Sequence, residues 1–143
     1  MAVINFDITN RFQYANGREF GNCGSYEQVD GILTYEVDLT HEANKSIVDL
    51  PLARKNSDGN INFTSDFTVI KPVEPDRGAN RVLVELPNRG RKRVVDTLNR
   101  TGKDASGSPD PGDGFLFERG VTVASLGWQW DVYGSEVLMG LNP

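Results

Sequence analysis

Apolar and polar residues alternate at Ile4, Phe6 and Ile8, the period-two signature of a strand with one buried face. Phe12 and Tyr14 precede Asn16-Gly17, the dipeptide that most strongly signals a short hairpin turn. Residues 32–37, Ile-Leu-Thr-Tyr-Glu-Val, are rich in β-branched and aromatic side chains and predict a second strand. Residues 46–52 predict a third. Asn56-Ser57-Asp58-Gly59-Asn60 supplies turn chemistry before residues 61–70, where Ile61 and Phe63, then Phe67 and Val69, alternate about an irregularity expected near Ser65. Pro72 and Pro75 end that strand, because proline cannot donate to a ladder. Residues 1–80 therefore read as an antiparallel β-rich region.

The pattern changes at Arg81. Val82-Leu83-Val84-Glu85-Leu86 is nearly continuous in apolar residues, as expected of a strand buried on both faces. It stops at Pro87-Asn88-Arg89-Gly90, a loop. Val94, Val95 and Leu98 then fall at helical spacing, predicting a short amphipathic helix within residues 92–100. Residues 101–112 are rich in Gly, Ser, Pro and Asp and read as loop. Asp113 is placed to cap a short helix over residues 114–119, closed by Gly120 where positive φ is favoured. Residues 121–126 form a last buried strand ahead of Gly127-Trp128-Gln129-Trp130-Asp131. Two buried strands joined by a helical crossover are at home in an open sheet, so residues 81–143 read as an α/β portion joined to the β-rich one.

Composition narrows the function classes. With 143 residues and 38% hydrophobic content, the chain suits one domain with a real core. No apolar stretch approaches the roughly 20 residues of a membrane-spanning helix, and the first residues meet Asp7 before any signal-like apolar region develops. A lone Cys23 forms no internal disulfide, and one Cys with one His41 does not make a zinc site. A net charge of −5 argues against a nucleic-acid binder. One stretch departs from that balance. Residues 89–103 hold six cations against Asp96, a local +5 that leaves −10 for the remainder. Its simplest reading is a helix with a solvated cationic face, and its functional reading is an anionic substrate steered toward the 87–90 loop.

Several ordered motifs carry a resemblance to a known family. Arg81-Val-Leu-Val-Glu-Leu-Pro-Asn-Arg-Gly90, followed by Phe115-Leu-Phe-Glu-Arg-Gly-Val-Thr-Val-Ala-Ser-Leu-Gly-Trp-Gln-Trp130, resembles the opening of an α/β-hydrolase core. Tyr26-Glu-Gln-Val-Asp-Gly31, Asn62-Phe-Thr-Ser-Asp-Phe-Thr-Val-Ile-Lys-Pro72 and Pro111-Gly-Asp-Gly-Phe115 are similar to a poorly characterised group of α/β-hydrolase domain-containing proteins that begin with an extra β-rich region. The similarity runs from about Phe20 onward. It implies a β-rich α/β fold in which an N-terminal antiparallel layer leads into the first strands and helices of an incomplete hydrolase-type sheet.

The resemblance also implies a division of labour. Serine hydrolases of this fold place nucleophile, acid and histidine in that chain order, with the serine on a Gly-x-Ser-x-Gly elbow. No such elbow occurs here, Gly21-Asn-Cys-Gly-Ser25 has the wrong spacing, and His41 lies upstream of the core strands. The chain is thus expected to hold no catalytic residue of its own and to be the N-terminal portion of a parent that hydrolyses a small-molecule ester or amide. Its contribution would be the oxyanion-side loop, Asn88, Arg89, Gly90 and Arg91, with the donor amide at Arg89, Gly90 or Arg91. Trp128, Gln129 and Trp130, at the end of a buried strand, are candidates to line an acyl or leaving-group pocket. No metal, cofactor, nucleic acid or membrane is expected as a partner. The rival expectation is a non-enzymatic, self-associating β-rich module complete at 143 residues. As written the chain reads as cytoplasmic, or as periplasmic or secreted if its native N-terminus is missing.

Overall fold

The computed structural model describes residues 1–101, 108–132 and 138–143. One mixed, β-rich sheet of six strands organises them: β1 Ala2–Gln13, β2 Tyr26–Val37, β3 Ile61–Pro72, β4 Arg81–Glu85, β5 Val121–Leu126 and β6 Leu141–Asn142. The spatial order is β1-β2-β3-β5-β4, with β6 also paired to β3. β1, β2 and β3 form an antiparallel meander, β5 runs antiparallel to β3, and β4 runs parallel to β5. The parallel pair needs a crossover, which the chain supplies through a short helix, α1 Val94–Leu98, and the turns that follow it. The antiparallel layer and the parallel pair thus share one sheet through β3 and β5.

The two faces of the sheet are unequal. Tyr26, Ile70 and Val123 face one side, where Val95 of α1, Leu116, Phe117, Tyr14 and Phe20 close over them. The opposite face gathers Val29, Leu33 and Phe67, flanked by Tyr35, Val69 and Leu126. Phe6 reaches over this second cluster to stack on Phe67 at 4.4 Å between ring centres. The stack passes above Gly31, where a Cβ would lie 2.1 Å from the Asp7 carbonyl oxygen and 2.6 Å from the Phe67 ring. Only glycine lets β1 approach β2 there. Gly31→Ala is therefore expected to lower stability by about 1–3 kcal/mol through overpacking, read as a shift in the urea midpoint at unchanged slope.

Several sequence expectations hold and others are corrected. Gly120 adopts φ 68° as expected, but the helix over residues 114–119 shrinks to a 3-10 turn, Phe117–Arg119, whose N-cap is Leu116 with no side-chain cap, and Asp113 Oδ1 accepts the Phe115 N–H at 3.0 Å in the turn before it. Residues 46–52 are not a strand. Asp49 takes φ 60° and Pro51 enters a 3-10 turn, Leu50–Leu52, while Val48 and Leu52 stay exposed. Asn16-Gly17 belongs to a 3-10 turn inside a longer connection rather than a two-residue hairpin loop. The β2–β3 register runs without a break past Ser65, and the irregularities fall in β1, between Val3 and Asn5 and between Ile8 and Asn10. β1 is an edge strand, so Ile4, Phe6 and Ile8 are half-exposed rather than buried. The apolar run 82–86 is not buried on both faces either. Leu83 packs into the main core, but Val82 and Val84 point to the opposite face of an outer strand and are 62% and 57% exposed. Of the 101–112 loop, residues 102–107, including Lys103 and Asp104, lie outside the described residues.

Candidate functional site

The two segments singled out at the ends of separate sequence strands come together in space. β4 and β5 are parallel neighbours, so the residues after Glu85 and after Leu126 emerge at the same edge of the sheet. Ligands of open α/β sheets gather at such carboxyl ends. Pro87 stops β4 because it has no N–H for the ladder, and it is buried at the turn. The chain then makes a 3-10 turn, Asn88–Gly90, in which Arg89 takes φ 54° and Gly90 φ 75°. A left-handed conformation is costly for a residue as large as arginine, and it persists only where the surroundings over-determine it.

Those surroundings are the residues after β5. The Arg89 N–H donates to Gln129 Oε1 at 2.5 Å, and the Arg89 guanidinium pairs with Asp131 Oδ2 at 2.5 Å. Trp128 Nε1 donates to the Pro87 carbonyl at 3.0 Å. The Met139 N–H donates to the Gly90 carbonyl at 3.0 Å, and a Cβ on Gly90 would lie 2.7 Å from the Met139 oxygen. Glycine is needed at 90 for its dihedral and for that approach.

The three donor amides left open by the sequence differ in what they do. The Gly90 and Arg91 N–H groups close the turn on Pro87 and Asn88 carbonyls, at 3.4 and 3.2 Å. The Arg89 N–H alone donates to a side chain, one that a rotamer change can withdraw. Beside it opens a cleft of about 540 Å³ lined by Glu85, Leu86, Asn88, Arg89, Arg91 and Arg93. Trp128 and Gln129 support the loop from the β5 side, and Trp130 is 74% exposed.

Two residues the sequence did not single out shape this site. Glu85 ends β4 facing α1, where its Oε1 accepts the Arg93 and Val94 N–H groups at 2.6 and 2.9 Å and its Oε2 accepts the Ser125 hydroxyl at 3.0 Å. A single acid within an apolar strand was the available signal, since a carboxylate facing a helix start satisfies otherwise orphaned amides. Lys92 is the second. It does not join a solvated cationic face: its Nζ lies 3.4 Å from Thr68 Oγ1, and that hydroxyl donates to Asp30 at 2.7 Å. Burial pushes the Lys92 ammonium below its ordinary pKa, while Asp30, Glu85 and Asp66 pull it back up.

The remaining reactive groups lie elsewhere. His41 is an exposed loop residue whose Nδ1 accepts the Ala43 N–H at 3.2 Å, and the Cys23 thiol donates to the Glu118 carbonyl. A groove of about 910 Å³ between residues 53–57, β3 and β6 has no acid, histidine or cysteine in its lining. Among the described residues no group of three or more His, Cys, Asp or Glu converges as a metal site would require, and no helix is long and apolar enough to cross a membrane.

Fold and site together define a β-rich protein on one mixed sheet, with a structured loop at the carboxyl end of its outer parallel strand. Comparison of the chain with protein-family models, with curated proteins and with solved structures found no match.

Proposed function

We propose that this chain is the N-terminal part of a serine hydrolase of the α/β-hydrolase type, supplying the oxyanion side of an ester- or amide-cleaving site. The observation that carries the reading is the Arg89 amide, held at the carboxyl end of a parallel strand and directed at an oxygen 2.5 Å away. When a serine oxygen adds to an acyl carbon, the carbonyl electron pair moves onto its oxygen. A fixed backbone N–H at hydrogen-bond distance stabilises that charge, and one such donor is worth about 10²–10³ in rate. Gln129 Oε1 occupies the amide here and gives way to the substrate oxygen. Nucleophile, acid and histidine come from residues beyond these 143. The strand order supports the reading too, because among the described residues β4 ends the strand order, and a sheet of this kind continues beyond such a strand.

A second reading, a self-associating β-rich binding module, is favoured by the apolar residues left in solvent at both sheet edges, Ile4 and Ile8 on β1 and Val82 and Val84 on β4. One experiment separates the two. Extract of the source is treated with a serine-directed fluorophosphonate probe and immunoprecipitated with an antibody against this segment. The hydrolase reading expects a probe-labelled polypeptide well above 15.8 kDa. An unlabelled product of 15.8 kDa overturns it and leaves the module.

A further inference from the structure

The cleft beside the 87–91 loop has a charge that the oxyanion role does not use. Three arginines, Arg89, Arg91 and Arg93, are among the six residues that line one concavity in a chain whose net charge is −5. Its one acidic lining residue, Glu85, has its carboxylate on two backbone amides and the Ser125 hydroxyl. The Arg89 guanidinium is paired with Asp131, from the segment after β5. Among the described residues, no carboxylate lies within ion-pair distance of the Arg93 guanidinium. Like charges gathered on one wall repel unless an anion joins them, and a concave wall of one sign concentrates anions.

We infer that this cleft binds an oxyanion, a carboxylate or phosphate group carried by the molecule on which the site acts. Arginine suits that role because its planar fork matches carboxylate and phosphate oxygens two at a time. Asn88 adds an amide to the same wall, and about 540 Å³ is room for a small molecule. Arg89 both lines the cleft and carries the amide, so a bound anionic group would anchor a substrate whose scissile carbonyl reaches that N–H. The substrate class this names is an ester or amide bearing a separate negative charge. That last step rests on the hydrolase reading, whereas anion binding itself does not.

The purified chain is its own reporter, since Trp128 and Trp130 are its only two tryptophans and Trp128 bonds the loop that borders the cleft. Sodium phosphate and sodium succinate are titrated separately against sodium chloride at constant ionic strength. Tryptophan emission and the arginine Nε–Hε cross-peaks are followed. A saturable response beyond chloride is expected, and Arg93→Gln is expected to weaken it about tenfold, the loss of one charge-assisted bond. Arg54→Gln, in the distant 53–57 segment, should leave the curve unchanged. Saturation by both anions supports a general oxyanion site, by phosphate alone a phosphoryl group, and by succinate alone a carboxylate. No saturation with either anion, or an Arg93→Gln curve equal to wild type, overturns the inference. Fluorophosphonate labelling of the native protein without anion binding keeps the hydrolase reading and removes the charged substrate. Binding without labelling keeps the anion site and removes its catalytic setting.

Discussion

Phe117→Ala is expected to lower the unfolding free energy by about 3–5 kcal/mol, the range for truncating a fully buried phenylalanine. Its ring is 0% exposed and lies at the centre of an aromatic cluster, 5.1 Å from Tyr14, 5.0 Å from Phe20 and 4.9 Å from Tyr26 between ring centres. These partners come from the β1–β2 connection and from the start of β2. Phe117 therefore ties the segment before β5 to the N-terminal layer. A domain of this size is typically stable by only about 5–15 kcal/mol, so the variant would sit close to its unfolding limit. Urea melts followed by far-UV circular dichroism measure the change. Phe115→Ala, two residues away, is the control. Its ring is 42% exposed with the Arg119 guanidinium 3.8 Å above it, so its loss is expected near the 0.5–1 kcal/mol of an exposed cation–π contact. Equal effects at the two positions would mean that the segment is not docked on the sheet as described.

That contrast shows what the sequence reveals and what it withholds. The strands within residues 26–37, 61–72 and 121–126, the helix around Val94, Val95 and Leu98, and the left-handed Gly120 were legible because local chemistry sets them. Alternation tells which residues share a face, but not whether anything covers that face. Ile4, Phe6 and Ile8 share the one-sided spacing of a core strand, yet β1 lies at the sheet edge. Val82 and Val84 failed for the same reason. Residues 46–52 are apolar enough for a strand, but the left-handed Asp49 and then Pro51 turn the chain instead. At the site, the loop was legible from Pro87 and Gly90. The pairing of the Arg89 amide with Gln129, 40 positions away, was not, because it depends on β4 and β5 becoming neighbours. The same holds for Lys92, whose burial against Thr68 and Asp30 is a property of the assembled sheet.

The buried phenols make the fold sensitive to alkali, and stability is expected to fall steeply above pH 10. The Tyr14 hydroxyl donates to the Pro109 carbonyl at 2.7 Å, and the Tyr26 hydroxyl donates to the Phe117 carbonyl at 3.0 Å. A phenolate in either place would keep the burial and lose the donor. Burial is the main cause that raises Tyr14 above its ordinary value of 10.0, with Asp110 and Asp96 adding to it and Arg18 opposing. Burial also raises Tyr26, with a smaller push from Cys23. Above pH 10 the unfolded chain releases these protons while the folded chain retains them. The unfolded state then binds fewer protons, so the free energy of unfolding decreases as pH rises. Lys92 acts in the opposite sense up to its ordinary value of 10.5. Its folded pKa is lowered from 10.5, so the folded state releases that proton first and stability rises with pH until the unfolded lysine also titrates. Urea midpoints between pH 7 and 11 should therefore rise or hold on approaching pH 10 and then drop. Lys92→Met should remove the rise. Tyr14→Phe with Tyr26→Phe should flatten the drop while costing about 1 kcal/mol per lost hydrogen bond at neutral pH. A double variant that loses stability above pH 10 as steeply as wild type would show that other groups carry the alkaline transition. A flattened one would assign it to two hydroxyls that hold the segments around Pro109 and Phe117 onto the sheet.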